Sequence, residues 1–477
     1  MAKITSQKEN FSKWYLDLIA QADLADYSAV KGCMIIKPYG YALWENIQRS
    51  LDDRIKAIGV KNAYFPLFIP ESFIKKEEDH VEGFAPELVT ITHVGEKELG
   101  EKLFVRPTSE TIMYDAYSNW IKSYRDLPLL INQWANVVRW EKRTRPFLRT
   151  TEFLWQEGHT VHATESEADE WTIKCLEMYE DFDREDLAIP VVTGTKTEAE
   201  KFPGAKYTTT TEALAKDGKA IQAGTSHQLG QGFAKTFGIE FTDENEKQQL
   251  PWQTSWGLST RIVGTLIVVH GDDKGLRIPP KIAPIQAVII PIFKTAEEEE
   301  LVRKECLKME ADLKEVGIKV ELDDRTEKTP GFKFNEWELK GVPVRIEVGP
   351  RDLVKDEVVI ARRDTSEKQS ILLGKVKSTV LDLMIDIQKN MLEQAIEFQQ
   401  KNTHEVFDYE SFKEIIEKTP GFIKAGWCGD GECEAKVQAE TKATIRCLPF
   451  AYAGQAKGEC IYCKKEATQI ALFAKAY

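Results

Sequence analysis

The stretch from Arg139 to His159, RWEKRTRPFLRTTEFLWQEGH, constrains this chain more than any other. It reads as two short strands joined by a polar turn. Arg139 and Glu141 lie two apart, which on a strand turns both to one face. Arg149, Phe153, Trp155 and His159 follow. A bare sheet has no need of so many guanidinium and aromatic groups on one hairpin. Such a surface suits an anionic group and a flat one together. The competing reading is a solvated ladder of Arg–Glu ion pairs, and a single Arg-x-Glu favours it.

The rest of the chain bears on that choice. Its 477 residues allow two to four domains, and 42% hydrophobic residues suffice for sizeable cores. The formal charge of −13 argues against a basic coat, but local patches decide whether nucleic acid binds. The N-terminus has no apolar signal-like core, and no uninterrupted apolar run of about 18 residues occurs. A soluble, cytoplasmic protein is expected. Cys33, Cys175 and Cys306 are scattered, whereas Cys428, Cys433, Cys447, Cys460 and Cys463 crowd one end. Such a crowd points to metal more than to disulfides.

Apolar spacing predicts helices over 11–27 and 39–58, the second closed by Gly59. NAYFPLFIP follows as an aromatic-rich strand broken by Pro66, which confines it to an edge. Residues 78–97 resemble a mobile loop. LFVRPTSET reads as a strand turning into a helix over 111–125, with Thr108 and Ser109 as N-caps. An acidic helix over 164–186 and the strands IPVVTG and PWQTSWGLS follow, and Arg261 falls in the first turns of the next helix. Gly257 admits close approach of a flat ligand. Composition shifts at Pro279–Pro280, and alternating elements then indicate a compact α/β unit whose 296–316 helix opens on a Thr295/Glu298 capping box. A charged helix over 376–401 precedes the cysteine-rich end. The expected division is 1–283, 284–400 and 401–477.

Several pieces of 1–283 suit nucleotide binding. Arg139 and Arg149 can neutralise phosphate, Phe153 offers a ring face to a base, and Arg261 can cover the opposite face. The sequence has neither a Walker loop nor a GxGxxG fingerprint, so arginines on an antiparallel sheet would hold the nucleotide.

The helix and strand ending at Pro66, the VVRWE…RTTEF hairpin and TSWGLSTR resemble the three signature motifs of class II aminoacyl-tRNA synthetases. RPTSE, FLRTTEFLWQEGHT, QAGTSHQLGQGFAKTF, SWGLSTR and the cysteine module resemble the prolyl-tRNA synthetase family in its archaeal and eukaryote-like form. The likeness runs end to end. It implies an α/β multidomain chain: an antiparallel-sheet catalytic domain, an α/β anticodon-binding domain and a small zinc-binding α/β domain. It further implies a homodimer with Pro66 at the subunit contact, and ATP, Mg²⁺, L-proline and tRNA(Pro) as substrates and partners.

For single residues, the resemblance implies that Glu110 pairs with the secondary ammonium of proline, with Thr108 and His227 beside it. Trp155 and His159 would wall the pyrrolidine ring. Arg139 would bridge the proline carboxylate and the ATP α-phosphate. Glu141, Arg149, Thr150, Gln222, Thr225, Ser259 and Arg261 would complete the ATP site, with Phe153 and Arg261 on the two faces of adenine. Glu338, Lys340, Arg345, Arg351, Arg362 and Arg363 are candidates for RNA contact, each against a reading as solvated charge.

Cys428-x4-Cys433 and Cys460-x2-Cys463 offer four thiolates for a structural Zn²⁺, with Cys447 left as a buried thiol. Phe153 and Gly257 lie barely a hundred residues apart, so no inserted editing domain is expected. Misactivation of alanine or cysteine follows, because missing methylenes change affinity by only ~1–3 kcal/mol. The alternatives are another class II synthetase, or a non-catalytic synthetase-like tRNA-binding protein; the latter would be expected to lose ATP-site residues, whereas Arg139, Glu141, Arg149, Phe153 and Arg261 are all present.

Overall fold

The computed structural model describes residues 4–76 and 88–477. Its organising element is an eleven-stranded sheet. The middle of that sheet is antiparallel: Val192–Thr195, Tyr207–Leu214, Ala220–Gly230, Trp252–Ser259, Glu152–His162 and Leu129–Val138, in that spatial order. Lys61–Asn62 closes one end as a short parallel edge.

One face of this sheet is covered by helices whose apolar stripes the sequence makes plain. Helix Gln7–Gln21 buries Trp14, Tyr15 and Leu18, and helix Pro38–Ala57 buries Leu43, Trp44, Ile47 and Leu51. They pack with Glu165–Glu185 and Arg261–His270 into one core that includes Tyr179, Phe182, Trp256 and Leu266. Burying large side chains contributes roughly 1.5–3 kcal/mol each, so this layer fixes the sheet and leaves its other face for chemistry. Gly158 is needed here because a Cβ would lie 2.0 Å from the indole of Trp256.

Residues 287–372 form a five-stranded mixed sheet, with helices Ala296–Glu315 and Val376–Lys401 around the core of Val302, Leu313, Val344, Ile346 and Ile387. The C-terminal strands Thr403–Glu405, Phe422–Trp427, Gln469–Ala474 and Thr444–Pro449 then rejoin the first sheet. Thr444–Pro449 pairs antiparallel with Val192–Thr195, through Leu448↔Thr195 and Pro449↔Gly194.

Several expectations change in detail. The first helix starts earlier and ends at Gln21, and the helix expected over 111–125 spans Glu110–Trp120. NAYFPLFIP is no single strand: Lys61–Asn62 and Phe68–Pro70 lie either side of Pro66, in different sheets. Of the supposed loop 78–97, Val89–Val94 is a strand hairpinned with Lys97–Val105; its remainder up to residue 87 lies outside the described residues. Thr295 accepts from the Glu298 N–H, but the Glu298 carboxylate reaches back to Lys294, so the box is offset by one residue.

Candidate active site

The uncovered face of the sheet forms the floor of a cleft of about 300 Å³. Strand alternation builds it. Phe153, Trp155 and His159 share a face of Glu152–His162, as do Ser255, Gly257 and Ser259 of the paired strand, in the register His159↔Ser255, Glu157↔Gly257 and Trp155↔Ser259. Thr225 and His227 continue the floor on Ala220–Gly230. Gln222 joins them only because of a bulge: Thr211 opposes Gly224 while Glu212 opposes Gln222, leaving Ala223 unpaired and resetting the alternation. Gly257, without a side chain, sits on the floor opposite Glu157.

Arg139 does not lie on a strand. Leu129–Val138 ends one residue earlier, and Arg139 and Glu141 begin the connection to Glu152–His162. The Arg139 Nε donates to the carbonyl of Pro107 at 2.9 Å. Its guanidinium carbon lies 5.6 Å from the Phe153 ring and 5.4 Å from the Trp155 ring, within cation–π range of both. Arg261 borders the same cleft and donates from Nε to Leu148 O; burial, then the neighbouring Arg139 charge, pulls its guanidinium down to about 10. A pocket that depresses an arginine in this way favours an anion.

At the other end, Ser109 and Thr108 are not the helix caps expected of them. Ser109 occupies the cap position without a side-chain cap bond. Its hydroxyl donates to Glu157 Oε1 at 2.5 Å, and the Thr108 hydroxyl donates to the Glu110 carboxylate. Buried carboxylates therefore take the hydroxyls that capping would have used. Arg106 is fully buried, tying Phe65 O and Asn136 O together behind this turn. His159 lies between Tyr114 OH at 3.1 Å and Glu157 Oε2 at 3.3 Å. His227 Nδ1 is 2.9 Å from the Thr208 hydroxyl, and its ring packs 4.7 Å from that of Phe202.

The cleft thus gathers Thr108, Glu110, Arg139, Phe153, Trp155, His159, Gln222, Thr225, His227, Ser259 and Arg261. Glu141, Arg149 and Thr150 do not line it. Arg149, 56% exposed, pairs with Glu141 at 2.5 Å, so the ion-pair reading describes these two residues. The Thr150 hydroxyl donates to Glu152 O. Sequence reasoning passed over Glu157, Lys196, Glu200, Phe202 and Ser255, which also line the cleft. Glu157 was within reach of the same argument, lying two residues from both Trp155 and His159.

In the middle unit, a second cavity of about 270 Å³ brings together Phe334, Trp337, Glu338, Arg345, Arg362, Arg363 and Lys368; Lys340 and Arg351 do not line it. Arg345 lies 4.5 Å over the Phe334 ring. Arg363 grips Asp272 with two hydrogen bonds, 2.6 and 2.8 Å, and so also joins this unit to the first.

Near the C-terminus the sulfurs of Cys428, Cys433, Cys460 and Cys463 all lie within 4.8 Å of one another. Cys428 stands 3.7 Å from both Cys433 and Cys463. A tetrahedral site with metal–sulfur bonds of about 2.3 Å separates its sulfurs by about 3.8 Å, so the donor set fits. Cys447 is fully buried in the Thr444–Pro449 strand, outside the cluster.

An antiparallel floor carrying a phenylalanine, with arginines at its borders, is the arrangement of the catalytic core of a class II aminoacyl-tRNA synthetase. The model for the class II core domain of the G, H, P, S and T synthetases matches residues 92–270, that for the anticodon-binding domain 286–383, and that for the prolyl-tRNA synthetase C-terminal domain 409–477. Proline–tRNA ligase of Natranaerobius thermophilus is 54% identical over 100% of this chain and 98% of its own length. Proline–tRNA ligase 2 of Clostridioides difficile is 53% identical over 100% and 98%, and the Roseiflexus castenholzii enzyme 53% identical over 99% and 99%. The chain belongs to the proline–tRNA ligase family.

Proposed function

We propose that this chain activates L-proline with ATP and transfers the prolyl group to tRNA(Pro), and that the cleft divides into a proline end and a nucleotide end. The carrying observation is the place of Arg139, whose guanidinium lies against both Phe153 and Trp155. Adenine would lie against Phe153, with Arg261, Gln222, Thr225 and Ser259 around the nucleotide. Glu110, Thr108, Trp155, His159 and His227 would take the ammonium and ring of proline. One guanidinium at the border can then hold the carboxylate and the α-phosphate together.

The chemistry needs little proton transfer. A carboxylate oxygen attacks the α-phosphorus, diphosphate leaves, and the adenylate forms. A ribose hydroxyl at the tRNA 3′ end then attacks the carbonyl, its proton is lost, and AMP leaves. Alignment and offset of growing negative charge are the work of Arg139 and Arg261. Mg²⁺, arriving with ATP, would supply further charge compensation on the phosphates. Glu141 and Arg149 would reach ATP only by rearranging their connection.

The division 1–283, 284–400 and 401–477 would separate activation, anticodon recognition and a metal-stabilised module. Anticodon bases suit the Phe334–Arg345 cavity, which offers stacking beside cations. The four cysteines would hold a structural Zn²⁺. Homodimerisation through the Pro66 region is supported by exposed Tyr64 (71%), Phe68 (46%) and Trp120 (48%). No helix among the described residues is long and apolar enough to cross a membrane, and a cytoplasmic setting follows from the tRNA substrate.

Amino-acid-dependent ATP–pyrophosphate exchange tests the reading. Exchange with proline is expected; exchange only with another amino acid overturns it.

A further inference from the structure

We propose that Arg446, which lies outside the catalytic domain in the C-terminal module, is a positioning residue for the proline end of the cleft, acting through Glu212 and Lys196. This rests on the assignment of that end to proline.

The observation begins with sheet pairing. Where Thr444–Pro449 meets Val192–Thr195, the backbones touch so closely that a Cβ on Gly194 would lie 2.4 Å from Leu448 O. That contact carries the Arg446 side chain into the interior. Its Nε donates to Glu212 Oε2 at 3.0 Å and its Nη2 to Oε1 at 3.2 Å. Lys196 Nζ donates to the same Oε1 at 2.7 Å and to Arg446 O at 2.8 Å. Glu212 is fully buried, and Lys196 and Arg446 nearly so. Its carboxyl is held below the usual range: burial pushes it up, but the two cations outweigh that.

Two cations on one carboxylate are a costly way to glue two surfaces, since apolar packing would serve as well or better. What the arrangement adds is a fixed Lys196, and Lys196 lines the cleft. From Lys196 the contacts run on without a gap. Its backbone N–H donates to Thr208 O at 2.8 Å. The Thr208 hydroxyl stands 2.9 Å from His227 Nδ1 and accepts from the Phe202 N–H at 2.9 Å. A second tie holds the same wall: the Thr197 hydroxyl donates to Glu434 of helix Gly431–Thr441 at 2.8 Å. A contiguous physical network can carry such coupling, and one is present from Arg446 to His227.

The test uses full-length Arg446→Met and Arg446→Lys in ATP–pyrophosphate exchange, with KM measured separately for proline and ATP well below each Tm. Arg446→Met is expected to raise the proline KM about tenfold, as for loss of a charge-assisted contact, and the ATP KM less than about twofold. Arg446→Lys, which keeps the cation, should fall between. A proline KM unchanged in Arg446→Met, equal rises in both KM values, or identical behaviour of the two variants would overturn the inference. Should Arg446→Met not fold, a wild-type proline KM in Arg446→Lys overturns it and an intermediate rise supports it. His227→Ala separates the two layers. If it raises the proline KM while Arg446→Met does not, the cleft assignment stands and the coupling fails. If it raises only the ATP KM, the assignment fails and the inference falls with it.

Discussion

Glu157 gives the sharpest test of how the amino-acid end is built. Its carboxylate is buried, and Oε1 accepts from Ser109 Oγ at 2.5 Å and from Gln133 Nε2 at 2.8 Å, while Oε2 faces His159 Nε2 at 3.3 Å. Glu157→Ala strands two buried donors at roughly 1–3 kcal/mol each, so a loss of about 2–6 kcal/mol is expected. Glu157→Gln is different. Its amide oxygen can take the place of Oε1 and keep both bonds. Its NH₂ then meets His159 Nε2, which can accept if the ring proton moves to Nδ1 and donates to Tyr114 OH, 3.1 Å away. Stability should therefore change by less than about 1 kcal/mol. Binding of a cationic substrate should still suffer. A unit charge about 6 Å from an ammonium at an effective dielectric of about 20 is worth about 3 kcal/mol, and each 1.4 kcal/mol is tenfold. With part of that screened, a 10- to 100-fold rise in proline KM is expected. Thermal unfolding and proline titrations of pyrophosphate exchange measure the two effects separately. If Glu157→Gln keeps a wild-type proline KM while Glu157→Ala loses stability, Glu157 is scaffold alone and the ammonium is bound without it.

Four further outcomes are expected. Arg139→Ala should abolish proline-dependent exchange with Tm little changed, although it removes the side chain's hydrogen bond to Pro107 O; retained exchange would show its role misassigned. Metal analysis should find one zinc per chain, lost in Cys460→Ser, and chelation should loosen the C-terminal module while ATP still binds; metal-free protein with Cys433 and Cys460 intact refutes the site. Asp183 is raised to about 8 by burial, with Thr211 donating to one oxygen. Between about pH 4 and 8 the folded chain holds a proton that the unfolded chain has lost, so stability falls as pH rises through that window, by up to ~1.4 kcal/mol per unit. Asp183→Asn should flatten Tm against pH, and parallel curves would contradict this. Alanine and cysteine should support slow exchange, because missing methylenes change affinity by only ~1–3 kcal/mol; the residues between His162 and Trp252 belong to the sheet and its flanking helices and hairpin, so rapid hydrolysis of alanyl-tRNA by this chain would count against reliance on other factors for clearance.

The parts legible in the sequence are those whose signal is local. Helical periodicity located Pro38–Ala57 and Glu165–Glu185 to within a residue or two, because each buries one continuous stripe. Motif resemblance located many of the residues that line the cleft, but it also named Glu141, Arg149 and Thr150, which do not, and alternation on Glu152–His162 could have added Glu157. What was illegible depends on contacts distant in sequence. Thr108 and Ser109 look like caps until Glu110 and Glu157 compete for their hydroxyls. Gln222 reaches the floor through a bulge that nothing in QAGTSHQ announces. Arg149 has a phosphate-binding side chain but an ion-pair partner within the same connection. Lys196 had no sequence signal, since its partners Glu212 and Arg446 come from another strand and another module.

That last case alters how the C-terminal module is to be understood. An appended cysteine-bearing module would ordinarily be dispensable to an active site whose lining residues all come from earlier in the chain. Here its strands continue the catalytic sheet, and Val192–Thr195 has Tyr207–Leu214 on one side and Thr444–Pro449 on the other. Without the module, Val192–Thr195 becomes an open edge, and such edges pair with whatever strand is offered. Glu212 would lose the guanidinium and Lys196 the Arg446 carbonyl, so the pair that fixes Lys196 would lose partners on that side. The cysteine cluster stands in the same fold unit, with Cys433 next to Glu434, the residue that receives Thr197. The cysteine cluster, the continuity of the sheet and the back wall of the cleft therefore belong to one packed unit, although the residues that line the cleft all come from earlier in the chain.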